Sequence, residues 1–248
     1  MKAVIVIPAR LASTRLPEKP LVLIKNKPLI QWVWERAMKV KKVSRVVVAT
    51  DDERIARAVE YFGGEAALTS PEHPSGTDRM AEVARKVKAD LYVNLQGDEP
   101  LIDPKEIDRL IAGIGSAPIA TLAHEVEDAA DLANPNVVKV VTDRAGNALY
   151  FSRSPIPLWR DAGKQSKSRG AVKPVYWRHI GIYAYRAAAL KAFVKLPPGA
   201  LERAESLEQL RALENGIPIR VLTVARGSFG VDTAADLERV EEILRASP

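Results

Sequence analysis

The sequence predicts a three-layer α/β fold on a mostly parallel central sheet, and three observations carry that expectation. The runs "KAVIVIP", "RVVVAT" and "DLYVNLQ" are apolar at consecutive positions and rich in branched residues, so they read as strands buried on both faces. Amphipathic segments alternate with them, and parallel strands need such crossover helices. The 248 residues, 47% hydrophobic and 27% charged, supply apolar surface for one large core, so a single domain over 1–248 is expected.

In chain order, "KAVIVIP" is the first strand and "PLIQWVWERAMKV" has apolar residues at helical spacing. "RVVVAT" follows as a strand and "DDERIARAVEYF" as a helix stopped by Gly63-Gly64. "SGTDRMAEVARKV" is a third helix and "DLYVNLQ" a third strand. "DPKEIDRLIAGI" opens with Asp103 as cap, Pro104 at the first helical position and Glu106 at the capping-box position. The second half is richer in strands: "IATLAHEV", "NVVKVVTD" and "ALYFSR", with a turn at "DRAGN". "RDAGKQSKSRGAVKP" reads as an exposed loop and "YWRHIGIYAYR" as a strand. A helix is expected over "AESLEQLRALEN", ending at Gly216, then the strand "IRVLTV" and a closing helix "TAADLERVEEILRA".

A formal charge of +6 is spread along the chain and mixed with acids, whereas a nucleic-acid binder concentrates cations with aromatics between them. No nucleic-acid partner is expected. Without cysteine, disulfides, thiolate metal sites and a cysteine nucleophile are excluded. No secretion signal or bilayer-length apolar stretch is read, so no membrane insertion and a cytoplasmic location are expected.

In a parallel α/β sheet, ligands sit beyond the carboxyl ends of the strands. Directly after the first strand stands "PARLASTRLPEKPL", with Arg10, Arg15 and Lys19 on a proline-stiffened loop and no glycine-rich fingerprint. Guanidinium forks and an ammonium there suit a polyphosphate, though a solvated connector carries the same charges. "NLQGDEP" sets Asp98 and Glu99 on a glycine turn after a buried strand, which suits magnesium as well as it suits a turn aspartate bonded to its own backbone.

Seven segments in order, "IPARLASTRLPEKPL", "ATDD", "HPSGTDRMAE", "VNLQGDEPLI", "RHIGIYAYR", "ESLEQLRALENG" and "GVDTAADLERV", run from end to end of the chain. Together they resemble the nucleotidyl-sugar transferases, most closely the 3-deoxy-manno-octulosonate (Kdo) cytidylyltransferases. The resemblance implies a Rossmann-like nucleotide-diphospho-sugar transferase fold with a small β-rich dimerisation lobe over about 145–185, and a homodimer. It also implies transfer of CMP from CTP to the anomeric hydroxyl of Kdo, for lipopolysaccharide synthesis.

By that resemblance Arg10, Arg15 and Lys19 bind the triphosphate, and Lys19, Arg10, Asp98 and Asp232 form the catalytic set. Asp98 and Asp232 would hold Mg2+, with Asp98 also beside the nucleotide. Asp232 precedes a helix and could simply cap it; Thr233 with Asp236 could cap instead and leave Asp232 for the metal. Ser75 and Gly76 would contact the nucleotide, although Ser75 could equally cap its helix with Asp78. The acidic sugar would be met by Gln96, Arg153, His179, Tyr183, Glu208 and Gln209. Against this, His179 and Tyr183 read as core, and Glu208 and Gln209 as a solvated helix face. Trp159, Ile156 and Trp177 are candidates for burial between subunits.

Three other functions share parts of this pattern. A cytidylyltransferase for 8-amino-Kdo or for a sialic acid would carry a similar phosphate loop, and a non-catalytic nucleotide- or RNA-binding module could use the same scaffold. "HIGIYAYR" and "ESLEQLR" favour Kdo over sialic acid.

Overall fold

The computed structural model describes residues 1–12, 16–160, 175–225 and 227–246. The chain opens with β1 (Ala3–Ala9), a 3-10 turn at Lys19–Leu21, and the short pair β2 (Leu23–Ile24) and β3 (Lys27–Pro28). Next come α1 (Leu29–Ala37), β4 (Arg45–Thr50), α2 (Glu53–Tyr61), β5 (Glu65–Leu68), α3 (Gly76–Lys86), β6 (Leu91–Asn94) and α4 (Pro104–Gly113). The second half holds β7 (Ile119–Glu125), α5 (Ala129–Ala133), β8 (Lys139–Thr142), β9 (Ala148–Ser152) and β10 (Trp177–Arg186). It closes with α6 (Ala187–Phe193), α7 (Ala200–Glu205), α8 (Leu210–Glu214), β11 (Ile219–Thr223) and α9 (Ala234–Ala246).

The sheet runs β11-β7-β10-β6-β1-β4-β5, with β8 and β9 attached through β10. Along that path neighbours are parallel except at β10, which lies antiparallel between β6 and β7; β8 pairs antiparallel with both β10 and β9. The expected double burial of the first strand is met residue by residue. Ala3, Ile5 and Ile7 pack into the core on one face, and Val4 and Val6 into the core on the other. A third, smaller core joins Ile24, Leu29, Val231, Val240 and Leu244, tying the segment after the first loop to α9.

The turn at "DRAGN" forms as expected: Gly146 adopts φ 82°, Asn147 N donates to Asp143 Oδ1 at 2.8 Å, and β8 pairs with β9. The single helix expected over 204–215 does not form. Ser206 takes a left-handed φ of 51° and splits it into α7, which starts upstream at Ala200, and α8. Hydrophobic periodicity overlooked the break because Leu207, beyond it, still turns inward and is buried. The helices α5 and α6 and the strand β5 were also not foreseen; each is short, and α5 buries no residue.

Candidate active site

The carboxyl ends of β1, β4 and β6 lie on one rim, because β1 pairs in parallel with both of the others. Arg10 follows β1, and Gln96, Gly97 and Asp98 follow β6. The turn after β6 must pass close to β1: a Cβ on Gly97 would stand 2.9 Å from the Pro8 carbonyl oxygen. At such a distance something must shift, so the turn that presents Asp98 requires glycine on steric grounds.

Lys19 is the centre of this rim. Its Nζ donates to Asp98 Oδ2 at 2.5 Å and to Asp232 Oδ1 at 3.0 Å, joining residues 213 positions apart in the chain. Burial disfavours the ammonium, but attraction and hydrogen bonding to Asp98, and then to Asp232, outweigh it and raise its pKa above the ordinary lysine value. Asp232 is not spent as a helix cap. Thr233 Oγ1 accepts from Asp236 N at 3.2 Å while Asp236 Oδ2 accepts from Thr233 N at 2.8 Å, a reciprocal box that starts α9. Arg10 Nη2 donates to the His73 carbonyl at 2.7 Å, and His73 Nε2 lies 2.6 Å from Glu82 Oε2. Arg15 falls outside the described residues.

Ser75 does cap α3: its Oγ accepts from Asp78 N at 3.1 Å and donates to Asp78 Oδ2 at 2.7 Å. Gly76 faces Pro8, whose Cγ would be 3.0 Å from an added Cβ, and Gln96 Oε1 would be 4.0 Å away. The start of α3 is thus pressed against the first-strand rim.

The residues proposed for the sugar divide into groups. His179 and Tyr183 stack 5.3 Å apart in an aromatic ladder that continues to Phe151 on one side and Tyr185 on the other. An irregularity in β10 between Ile180 and Tyr183 lets Thr121 Oγ1 donate to the Ile182 carbonyl at 2.7 Å. Thr121 Oγ1 also lies 3.0 Å from His179 Nε2. Burial keeps the His179 ring neutral, its pKa pushed down to about 3.

Glu208 and Gln209 turn inward at the break between α7 and α8 rather than lying on a solvated face. Glu208 Oε2 accepts from Thr77 Oγ1 at 2.6 Å, and Thr77 also receives Asn94 Nδ2 at 3.3 Å. Burial raises the Glu208 pKa, against the lowering effect of the Thr77 bond. Gln209 is buried, and its Nε2 has no hydrogen-bond partner among the described residues. The Arg153 guanidinium donates to the carbonyls of Glu205 at 2.7 Å, Pro135 at 2.9 Å and Ser206 at 3.3 Å, so it pins the chain just before Glu208. Thr77, Asn94 and Thr121 link these groups. The one sequence signal they gave was a polar residue inside an otherwise apolar or helical stretch.

A cavity of about 1090 Å³ opens beside the rim, its wall including Glu99, Arg178, His179, Ser228, Asp232 and Arg239. Of the residues named above for nucleotide, sugar and metal, His179 and Asp232 are in that wall. Burial pushes Glu99 up to about 7, opposed by the hydrogen bond that Ser228 donates to it.

Comparison with known proteins gives a consistent result. A family model described as cytidylyltransferase matches residues 4–221. A Pseudomonas fluorescens protein named 3-deoxy-manno-octulosonate cytidylyltransferase is 55% identical over 249 residues, covering 98% of this chain and 98% of its own. A Geobacter sulfurreducens protein of the same name is 52% identical over 250 residues, covering 99% and 100%. A solved structure of CMP:2-keto-3-deoxy-manno-octonic acid synthetase complexed with CTP superposes with a TM-score of 0.93 at 50% identity, over the full length of both chains.

Proposed function

Because this chain belongs to the cytidylyltransferase family, we propose that it transfers CMP from CTP to the anomeric hydroxyl of Kdo, releasing diphosphate and supplying CMP-Kdo for lipopolysaccharide biosynthesis. One observation carries the reading: in a chain half identical over its full length to proteins named for this transfer, Lys19 stands between Asp98 and Asp232 at the ligand-binding rim.

The residues divide the work as follows. Lys19, Arg10 and Arg15 offset the charge of the triphosphate and of the diphosphate as it leaves, which is where phosphoryl transfer gains most from a protein. Asp98 and Asp232 fit Mg2+ by donor chemistry: one oxygen of each contacts the same Lys19 nitrogen, so the two carboxylates stand close enough to share an ion. An ion with few protein ligands completes its shell with water and substrate phosphates, as magnesium does. Bound there, Mg2+ would neutralise phosphate charge and lower the pKa of the attacking hydroxyl. The start of α3 at Ser75 and Gly76 borders the nucleotide. Gln96, His179, Tyr183, Glu208 and Gln209 offer acceptors and donors to the sugar, and Arg153 holds the turn that carries the last two.

We also infer a homodimer formed through the lobe over about 145–185. Leu149 on β9 and Leu201 on α7 are exposed, at 62% and 40%, on elements joined by the Ser152–Glu205 hydrogen bond, and Leu158, 88% exposed, lies in the segment after β9. A cytoplasmic location follows from the use of CTP; among the described residues no helix is long and apolar enough to cross a membrane.

The test is diphosphate release from CTP and magnesium with Kdo, 8-amino-Kdo or N-acetylneuraminate as acceptor. Turnover is expected with Kdo and absent with N-acetylneuraminate. Asp98→Asn is expected to abolish turnover while keeping the thermal midpoint; near-normal activity in that variant rejects the assignment.

A further inference from the structure

We propose that Glu99 and Ser228 form a latch that positions Asp232 against Asp98, so that Glu99 is a positioning residue of the metal-binding pair. This rests on the reading of Asp98 and Asp232 as magnesium ligands. The turn after β6 presents two adjacent carboxylates, and they point to different partners. Asp98 turns to Lys19. Glu99 turns into the cavity wall and accepts from Ser228 Oγ, 129 residues further along the chain.

The residues between Ser228 and Asp232 dock on the same turn. Val231 N donates to the Asp98 carbonyl at 2.8 Å. Gly230 passes so near that a Cβ there would lie 3.3 Å from Glu99 Oε1 and 3.7 Å from the Asp98 oxygen. Ser228, Gly230 and Val231 therefore all bear on residues 98–99 immediately before Asp232 appears. A carboxyl enclosed beside another acid is a cost to the fold unless a specific bond satisfies it. The serine hydroxyl supplies that bond, and its geometric effect is to fix how Asp232 leaves the loop. Deleting a hydrogen bond to a carboxylate removes a contact strong enough to change a linked equilibrium about tenfold.

Binding of manganese in the presence of CTP, read from the electron-paramagnetic signal of free Mn2+ on the full-length protein, tests the latch without relying on turnover. Ser228→Ala is expected to weaken manganese binding about tenfold; because it also leaves the Glu99 carboxyl without its bond, its thermal midpoint should fall, and binding is read well below that midpoint. Glu99→Ala should match it. Glu99→Gln keeps an acceptor oxygen for Ser228 and should stay within about twofold of wild type. Wild-type manganese affinity in Ser228→Ala overturns the latch. So does a Glu99→Gln as weak as Glu99→Ala, since charge at residue 99 would then be what the ion requires. Asp98→Asn separates the two readings. If it binds manganese as wild type does, the metal assignment itself fails. If it loses manganese while Ser228→Ala does not, the latch alone fails. Should Glu99→Ala not fold, Ser228→Ala carries the test unaided.

Discussion

Replacing Lys19 by methionine keeps the stem of the side chain and removes the charge that separates Asp98 from Asp232. Both carboxylate oxygens lie within 3.0 Å of the lysine nitrogen. Left alone roughly 5 Å apart, two such charges repel by about 3 kcal/mol at an effective dielectric of about 20. The side chains are 29% and 46% exposed, so water screens much of this, and a net loss of about 1 kcal/mol is the realistic scale. For a chain of this size that lowers the melting temperature by about 2–4 °C. If Asp98 and Asp232 hold Mg2+ as proposed, the ion would restore what the ammonium supplied. Thermal unfolding in chelator and in millimolar magnesium should therefore show Lys19→Met less stable than wild type without metal, and raised by magnesium more than wild type is. Turnover should fall by about 10²–10³-fold, the usual cost of losing one stabilising donor at a developing charge. An unchanged melting temperature in chelator, together with equal magnesium shifts in the two proteins, would refute the electrostatic account of this rim.

Two further outcomes are expected. His179 has a folded pKa of about 3 against about 6.5 when unfolded, so between those values the unfolded chain holds the extra proton, and stability drops as pH falls from about 6.5, by at most about 1.4 kcal/mol per pH unit. His179→Phe keeps the ring between Phe151 and Tyr183 and should flatten this decline; urea midpoints at pH 7 and 5 that fall equally in both proteins would contradict it. If the proposed homodimer forms through this lobe, Leu158→Asp should shift the solution mass towards a monomer in sedimentation equilibrium, whereas an unchanged mass would remove that leucine from the proposed interface.

The sequence carried some of this architecture openly and hid the rest for identifiable reasons. β1 could be read because burial on both faces leaves an unbroken apolar run. The start of α9 could be read because Thr233 and Asp236 are three residues apart, within the reach of local hydrogen bonds. The break at Ser206 escaped notice because a left-handed residue leaves hydrophobic spacing nearly intact. The Arg153 guanidinium was expected to face substrate, and no pattern in the sequence announces that three carbonyls surround it. The bond from Ser228 to Glu99 crosses 129 residues, and composition and periodicity are silent at that range.

What brings Asp232 to Lys19 is apolar packing more than charge. A half-exposed ion pair contributes at most about 1 kcal/mol, too little to fold a C-terminal helix onto the first loop. The third core is larger in scale: Ile24, Leu29, Val231 and Val240 are fully buried there, and a buried side chain of this kind contributes about 1.5–3 kcal/mol. Val231 directly precedes Asp232, and Ile24 lies five residues beyond Lys19, so the burial that fixes α9 also fixes both partners of the ion pair. Lys25 Nζ adds a bond to the Leu244 carbonyl at 3.0 Å, at the far end of the same contact. Apolar burial therefore sets the distance between opposite charges from the two ends of the chain, and the charges are left available for substrate.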